Sequence, residues 1–299
     1  MRYHRALGIG LISLAAVIAS TAVLGPFVTG IIRYHTSDTT LNQVIGGDAA
    51  ALLIVAPVCL AVGVLALRGH PAAPALALGP SLFTVYTYTQ LIVGEEYLRL
   101  PGNNERFFPL LYTGFLIGGG VAVTAWRHLD PASLPAPSHR MRRAAAAVMF
   151  AVALFLTVQH LPTLADALRD TPARTEYLSS PTAFWLVKLM DLGILAPTAL
   201  VTGIGLLRGT SWATRPLYAI IGAYTLIGAS VTGMAITMQI NDDPDASLAA
   251  AAGFALLTLA FAALAYALWR PLFRVSAGSR TAAATAPPVR IGGGVSARK

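Results

Sequence analysis

Apolar residues along this chain come in long blocks, not in the alternation of strands or the three-and-four rhythm of surface helices. The blocks run approximately 6–32, 48–67, 72–94, 107–126, 144–160, 182–207, 216–240 and 247–269. About 18 apolar residues suffice for a helix to cross ~30 Å of hydrocarbon. The pattern therefore predicts an all-α fold, a polytopic bundle of about eight transmembrane helices. The fifth block is short and needs its flanks to complete a crossing. Arg2 and Arg5 before the first block resemble the start of a signal peptide. The run from Ala6 to Ile32 is too long for one and reads as a span that stays attached.

Composition agrees. Hydrophobic residues are 56% of the 299 positions, charged residues 11%, and mean hydropathy is +0.65. A soluble domain carries roughly a quarter of its residues charged. The net charge of +8 marks orientation, not nucleic-acid binding, because the basic residues are unevenly placed. With the N-terminus in the cytoplasm, fifteen fall inside: Arg2, Arg5, Arg68, Arg127, Arg140, Arg142, Arg143, Arg208, Arg215, Arg270, Arg274, Arg280, Arg290, Arg298 and Lys299. Five fall outside: Arg33, Arg99, Arg106, Arg169 and Arg174. That bias predicts both termini inside. Most acids gather outside, and the expected location is the plasma membrane. The Ala/Arg-rich, Lys-poor usage is that of a high-GC bacterial genome. Cys59 stands alone in an apolar run, which rules out an internal disulfide or dithiol pair, and a buried packing role is expected.

Two groups of four spans emerge, 1–126 and 144–269, joined by a cytoplasmic linker at 127–143 with Pro131, Pro135 and Pro137. Residues 270–299 read as a disordered basic tail. The groups share a pattern: Ala56–Gly69 aligns without gaps to Ala196–Gly209, identical at seven of fourteen positions, among them Ala-Pro and Arg-Gly. Random pairs match at about one position in ten. An even number of spans per group makes these parallel repeats. Pro57 and Pro197 each lie mid-span, where a missing N–H and a crowded carbonyl predict a kink and a candidate hinge.

Lys188 and Asp191 are the charges least at ease, three apart inside the sixth span and so on one helix face. A carboxylate at that depth must be paired, protonated or facing a wet cavity. The expectation is an intramembrane Lys–Asp pair. The third span carries Tyr86, Thr87, Thr89, Gln90, Glu95, Glu96 and Tyr97, with Tyr86 and Gln90 placed to line an outer vestibule. His35 and His160 sit at the outer ends of the first and fifth apolar blocks. No ligand spacing joins them to Glu95, Glu96 or Asp48 as a metal site, and interfacial histidines are the plainer reading. Thr225, Thr232, Thr237, Met234 and Met238 in the seventh span read as packing residues.

No His-Glu-x-x-His, phosphate-binding Gly-Lys-Ser/Thr loop or Cys pair is present. No cofactor follows from the sequence, and the partners expected are the lipid bilayer and a small molecule or ion, not nucleic acid. The sum is a small permease with an outward-facing polar site: Lys188, Asp191, Tyr86, Gln90, Glu95, Glu96 and His160 as binding residues, Pro57 and Pro197 as hinges. The rivals are a membrane-embedded enzyme acting on a lipid or quinone, and a non-catalytic subunit or sensor.

Overall fold

The computed structural model describes residues 2–285. Among these the chain is helical with no strand, and eight helices are long and apolar enough to cross a membrane. They are α1 (Arg2–Leu24), α2 (Asp38–Leu67), α3 (Ala73–Val93), α4 (Asn104–His128), α5 (His139–Ala167), α6 (Pro181–Leu207), α7 (Ser211–Ile240) and α8 (Leu248–Phe273). The last helix continues to Thr285, into the stretch read as tail, and the rest of that tail lies outside the described residues.

Two boundaries differ from the apolar blocks. The first block runs to residue 32, yet α1 stops at Leu24. Gly25 closes the final turn onto the Thr21 carbonyl, and Pro26 has no N–H with which to go on. The fifth block ends at 160, yet α5 runs through Pro162 to Ala167. His160 thereby lies inside a helix instead of at its end.

Within the first group, α1 packs on α2 and α4, and α3 packs on α4. In the second, α5 packs on α6 and α7 on α8, but α5 meets α8 over less of its length than α1 meets α4. The groups join mainly through α7, which lies against both α2 and α3. Both crossings are glycine on glycine. A Cβ on Gly222 would come within 2.9 Å of the Gly79 Cα, and one on Gly46 would overlap the Gly233 carbonyl. Small residues at a crossing let backbones touch, which matters where lipid offers no hydrophobic drive for helix association.

The loops meet at two ends. At one, here called the acid-rich end, the segments after α1, α3, α5 and α7 interlock. The Arg33 N–H donates to Asn103 Oδ1 at 2.7 Å, and Asn42 Nδ2 donates to Asp243 Oδ2 at 2.8 Å. At the arginine-rich end, Arg215 stacks over Trp126 and Tyr3 stacks on His128. There the helices close tightly, with Leu217, Tyr218, Ile221, Phe261 and Leu268 buried together.

Each of α2 and α6 contains one wide, π-type turn, at Ala51–Val55 and Asp191–Leu195. Each ends at an Ala-Pro pair, Ala56-Pro57 and Ala196-Pro197. The alanine N–H reaches back five residues, to Ala51 and Asp191 respectively. Proline then donates nothing, so the helix re-registers beyond it. Both helices end at an Arg-Gly whose glycine takes positive φ, +70° at Gly69 and +68° at Gly209.

Valine at Gly222 is expected to force α3 and α7 apart and cost about 1–3 kcal/mol. A lowered thermal unfolding midpoint in detergent checks this. Gly119→Val, where a Cβ meets nothing within 4 Å, should leave the midpoint unchanged.

Candidate functional site

Asp191 begins the wide turn of α6 and is 8% exposed. Its carboxylate receives two hydrogen bonds from other helices. The Tyr86 hydroxyl on α3 donates to Oδ1 at 2.7 Å, and His160 Nε2 on α5 lies 2.8 Å from Oδ2. A carboxylate only accepts, so His160 carries its proton on Nε2. Both oxygens of the carboxylate therefore have a donor. Tyr86, His160 and Asp191 thus form a cluster that can hold, pass or accept a proton, or offer a negative charge to a ligand.

Behind the cluster, the Tyr224 hydroxyl on α7 donates to the Leu195 carbonyl at 2.6 Å and touches Thr198 Oγ1 at 2.7 Å. These bonds serve backbone at the proline break, so the wide turn is braced from α7.

The cluster faces a cavity of about 670 Å³. Its walls come from α3, α5, α6, α7 and α8, with Thr39 and Gln43 of α2. Arg174, Glu176, Asp245 and Ser247 line it where it reaches the acid-rich end. Tyr224, Leu257 and Phe261 line it as well. Between α5 and α8 the wall is apolar, with Phe155 against Phe254 at 4.9 Å between ring centres. Gln90, expected to line a vestibule, does line this cavity, and so do Met234 and Met238, which composition alone assigns to packing.

Lys188 does not join Asp191. Its Nζ donates to Glu176 Oε1 at 2.6 Å and sits 4.2 Å from the centre of the Phe184 ring. Helix side chains lean toward the N-terminus, so Lys188 extends away from Asp191, which follows it by three residues. Glu96 is also used structurally. Its Oε1 accepts the Thr182 N–H at 2.6 Å, in the first turn of α6, and Oε2 lies 3.5 Å from Arg99. A carboxylate there complements the positive end of the helix dipole. Glu95 is buried away from the Asp191 cluster, and burial pushes its carboxyl up to about 7 against the opposing charge of His35.

His35 clasps the acid-rich end. Its Nδ1 meets the Leu100 carbonyl at 2.6 Å and its Nε2 meets Glu105 at 2.8 Å. Both partners accept, so both ring nitrogens donate and the ring is an imidazolium. Burial opposes that charge, but the bonds to Leu100 and Glu105 outweigh it and raise the pKa.

Tyr86, His160 and Asp191 stand out separately in the sequence, and the structure brings them together. Nothing in its loop distinguishes Glu176, and the seventh-span pattern hides Tyr224 among packing residues. Among the described residues no three His, Cys, Asp or Glu side chains converge as metal ligands. Compared with known protein families, curated proteins and solved structures, the chain matches no family, no curated protein and no solved structure.

Two outcomes follow. Glu176→Gln strands a buried ammonium and should cost about 1–3 kcal/mol, less than the ~3–5 of a fully buried pair because Glu176 reaches water. Lys188→Met should cost less than that, and thermal unfolding of the two variants side by side decides it. Because the folded His35 pKa is raised, its contribution is complete below the unfolded value of ~6.5 and lost as pH rises through the folded value. A pH series of unfolding midpoints should show this decline in the wild type and not in His35→Gln.

Proposed function

We propose that the protein is a multi-pass permease of the plasma membrane, with its acid-rich end outside and both termini in the cytoplasm. It admits a small molecule or ion to a site built on Tyr86, His160 and Asp191. The observation that carries this is the cavity of about 670 Å³ leading from the acid-rich end to a buried carboxylate. A structural role needs no such space. The arginine bias supports the orientation. The tight closure at the arginine-rich end supports an outward-facing state, one half of an alternating-access cycle.

The hinge reading of Pro57 and Pro197 draws support from the wide turns that precede them. Two wide turns at matching Ala-Pro positions, and two positive-φ glycines at matching Arg-Gly positions, also support a duplication of four spans. In this reading the second copy opened between α5 and α8 and became the binding half.

A second reading has one observation in its favour. The apolar wall between α5 and α8 would suit a hydrophobic tail reaching the cluster from lipid, with His160 and Asp191 as acid and base in a membrane-embedded enzyme.

In a Cys59→Ser background, cysteines placed at Gln159 and Thr163 should react with a membrane-impermeant thiol reagent added outside intact cells. In proteoliposomes screened against small charged solutes, Asp191→Asn should insert normally yet cut uptake roughly tenfold or more. That is the effect of losing hydrogen bonds of ~1.5–3 kcal/mol each to a charged group. Cysteines unreactive from outside would overturn the orientation. Conversion of a lipid, with no solute moved, would favour the enzyme.

A further inference from the structure

A second, smaller cavity of about 180 Å³ lies between α1, α2, α3 and α6. Asp48 of α2 and Glu95, just beyond α3, both line it, and each is only 6% exposed. Asp48 Oδ2 and Glu95 Oε2 are buried without a hydrogen-bond partner among the described residues. Neither carboxyl takes part in any of the ion pairs formed by described residues. Gly25 makes room for Asp48, since a Cβ there would overlap Oδ2. The rest of the polar wall holds Glu176, which is paired with Lys188, and neutral groups: Thr21, accepting from the Tyr88 hydroxyl at 3.0 Å, with Gln43, Thr87 and Gln90.

A buried carboxylate oxygen without a partner is costly, and two of them bordering one small cavity are more so; the backbone of Phe27 beside Asp48 and of His35 beside Glu95 offsets only part of that cost. Protonation removes the charge but leaves an O–H with nothing to receive it. A hydrated cation gives each of these two oxygens a partner. Oxygen-only donors suit hard alkali and alkaline-earth ions, not the softer metals that favour nitrogen and sulfur. The cavity has room for an ion and several of its waters.

We propose that Asp48 and Glu95 form a binding site for a small hard cation, separate from the Asp191 cluster. The ion enters from the acid-rich end and is held by the two carboxylates with neutral oxygens of the wall. Gln43, Thr87 and Gln90 line both cavities, so an occupied cation site abuts the larger one across a shared wall. Burial holds the Glu95 carboxyl up at about 7 although His35 lies close enough to lower it, so a cation there competes with a proton.

Purified protein in detergent tests this without any transport assay. At mildly alkaline pH and constant ionic strength, Na+ and Ca2+ are each titrated against N-methylglucamine. Thermal stability and equilibrium binding of the radiolabelled ion are read together. Saturable binding of either ion with a raised midpoint is expected, and the better of the two identifies the cation. Asp48→Asn and Glu95→Gln should each weaken binding by roughly tenfold or more, at least the loss seen when only a supporting partner of a ligand is removed. Asp191→Asn should bind as the wild type does, so failure of the permease reading leaves this result standing. The wild-type titration decides even if a variant does not fold. Absence of saturable binding by both ions would overturn the site, as would stabilisation by acid alone. So would undiminished affinity in both carboxyl variants, or equal loss in Asp191→Asn.

Discussion

Everything in this bundle hangs on two places where a side chain is missing. α7 touches α3 through Gly222 and Gly79, and α2 through Gly233 and Gly46, with backbone against backbone. In hydrocarbon, burying a leucine gains little over leaving it in lipid, so close contact between backbones does the work of association. The consequence is that α7 serves as a common wall. Met234 faces both cavities from it, and Tyr224 reaches from it to the proline break in α6.

The protein meets the problem of buried charge in several ways, and each leaves a signature. Asp191 takes donors from two helices. Lys188 extends back along its own helix to the half-exposed Glu176 and covers an aromatic face on the way. Glu96 caps the start of α6, and Asp166 accepts the N–H groups of Ala173 and Arg174 to shape the loop after α5. Against these satisfied groups, Asp48 and Glu95 stand apart because each keeps an oxygen without a partner.

Eight spans were legible because membrane helices are specified by length and apolarity, which are local properties. Their ends were less so. Gly25-Pro26 halts α1 inside an apolar run, and α5 passes Pro162, which membrane-like helices tolerate. Asp191 could be singled out because depth alone makes a carboxylate conspicuous. That Tyr86 and His160 are its partners could not be read, since Tyr86 is 105 residues away and only the packing of α3 beside α6 unites it with Asp191. The i, i+3 spacing of Lys188 and Asp191 gave a shared face but not side-chain direction, and direction decided the outcome.

The wide turn in α6 is a dislocation in an otherwise regular lattice of hydrogen bonds. Pro197 blocks it from sliding toward the C-terminus, because the next bond in that direction needs an N–H that proline lacks. On the other side Asp191, the first residue of the turn, is held by the hydroxyl of Tyr86 and the ring of His160. The dislocation is therefore pinned at both ends, by a proline that cannot donate and by a carboxylate gripped from two neighbouring helices.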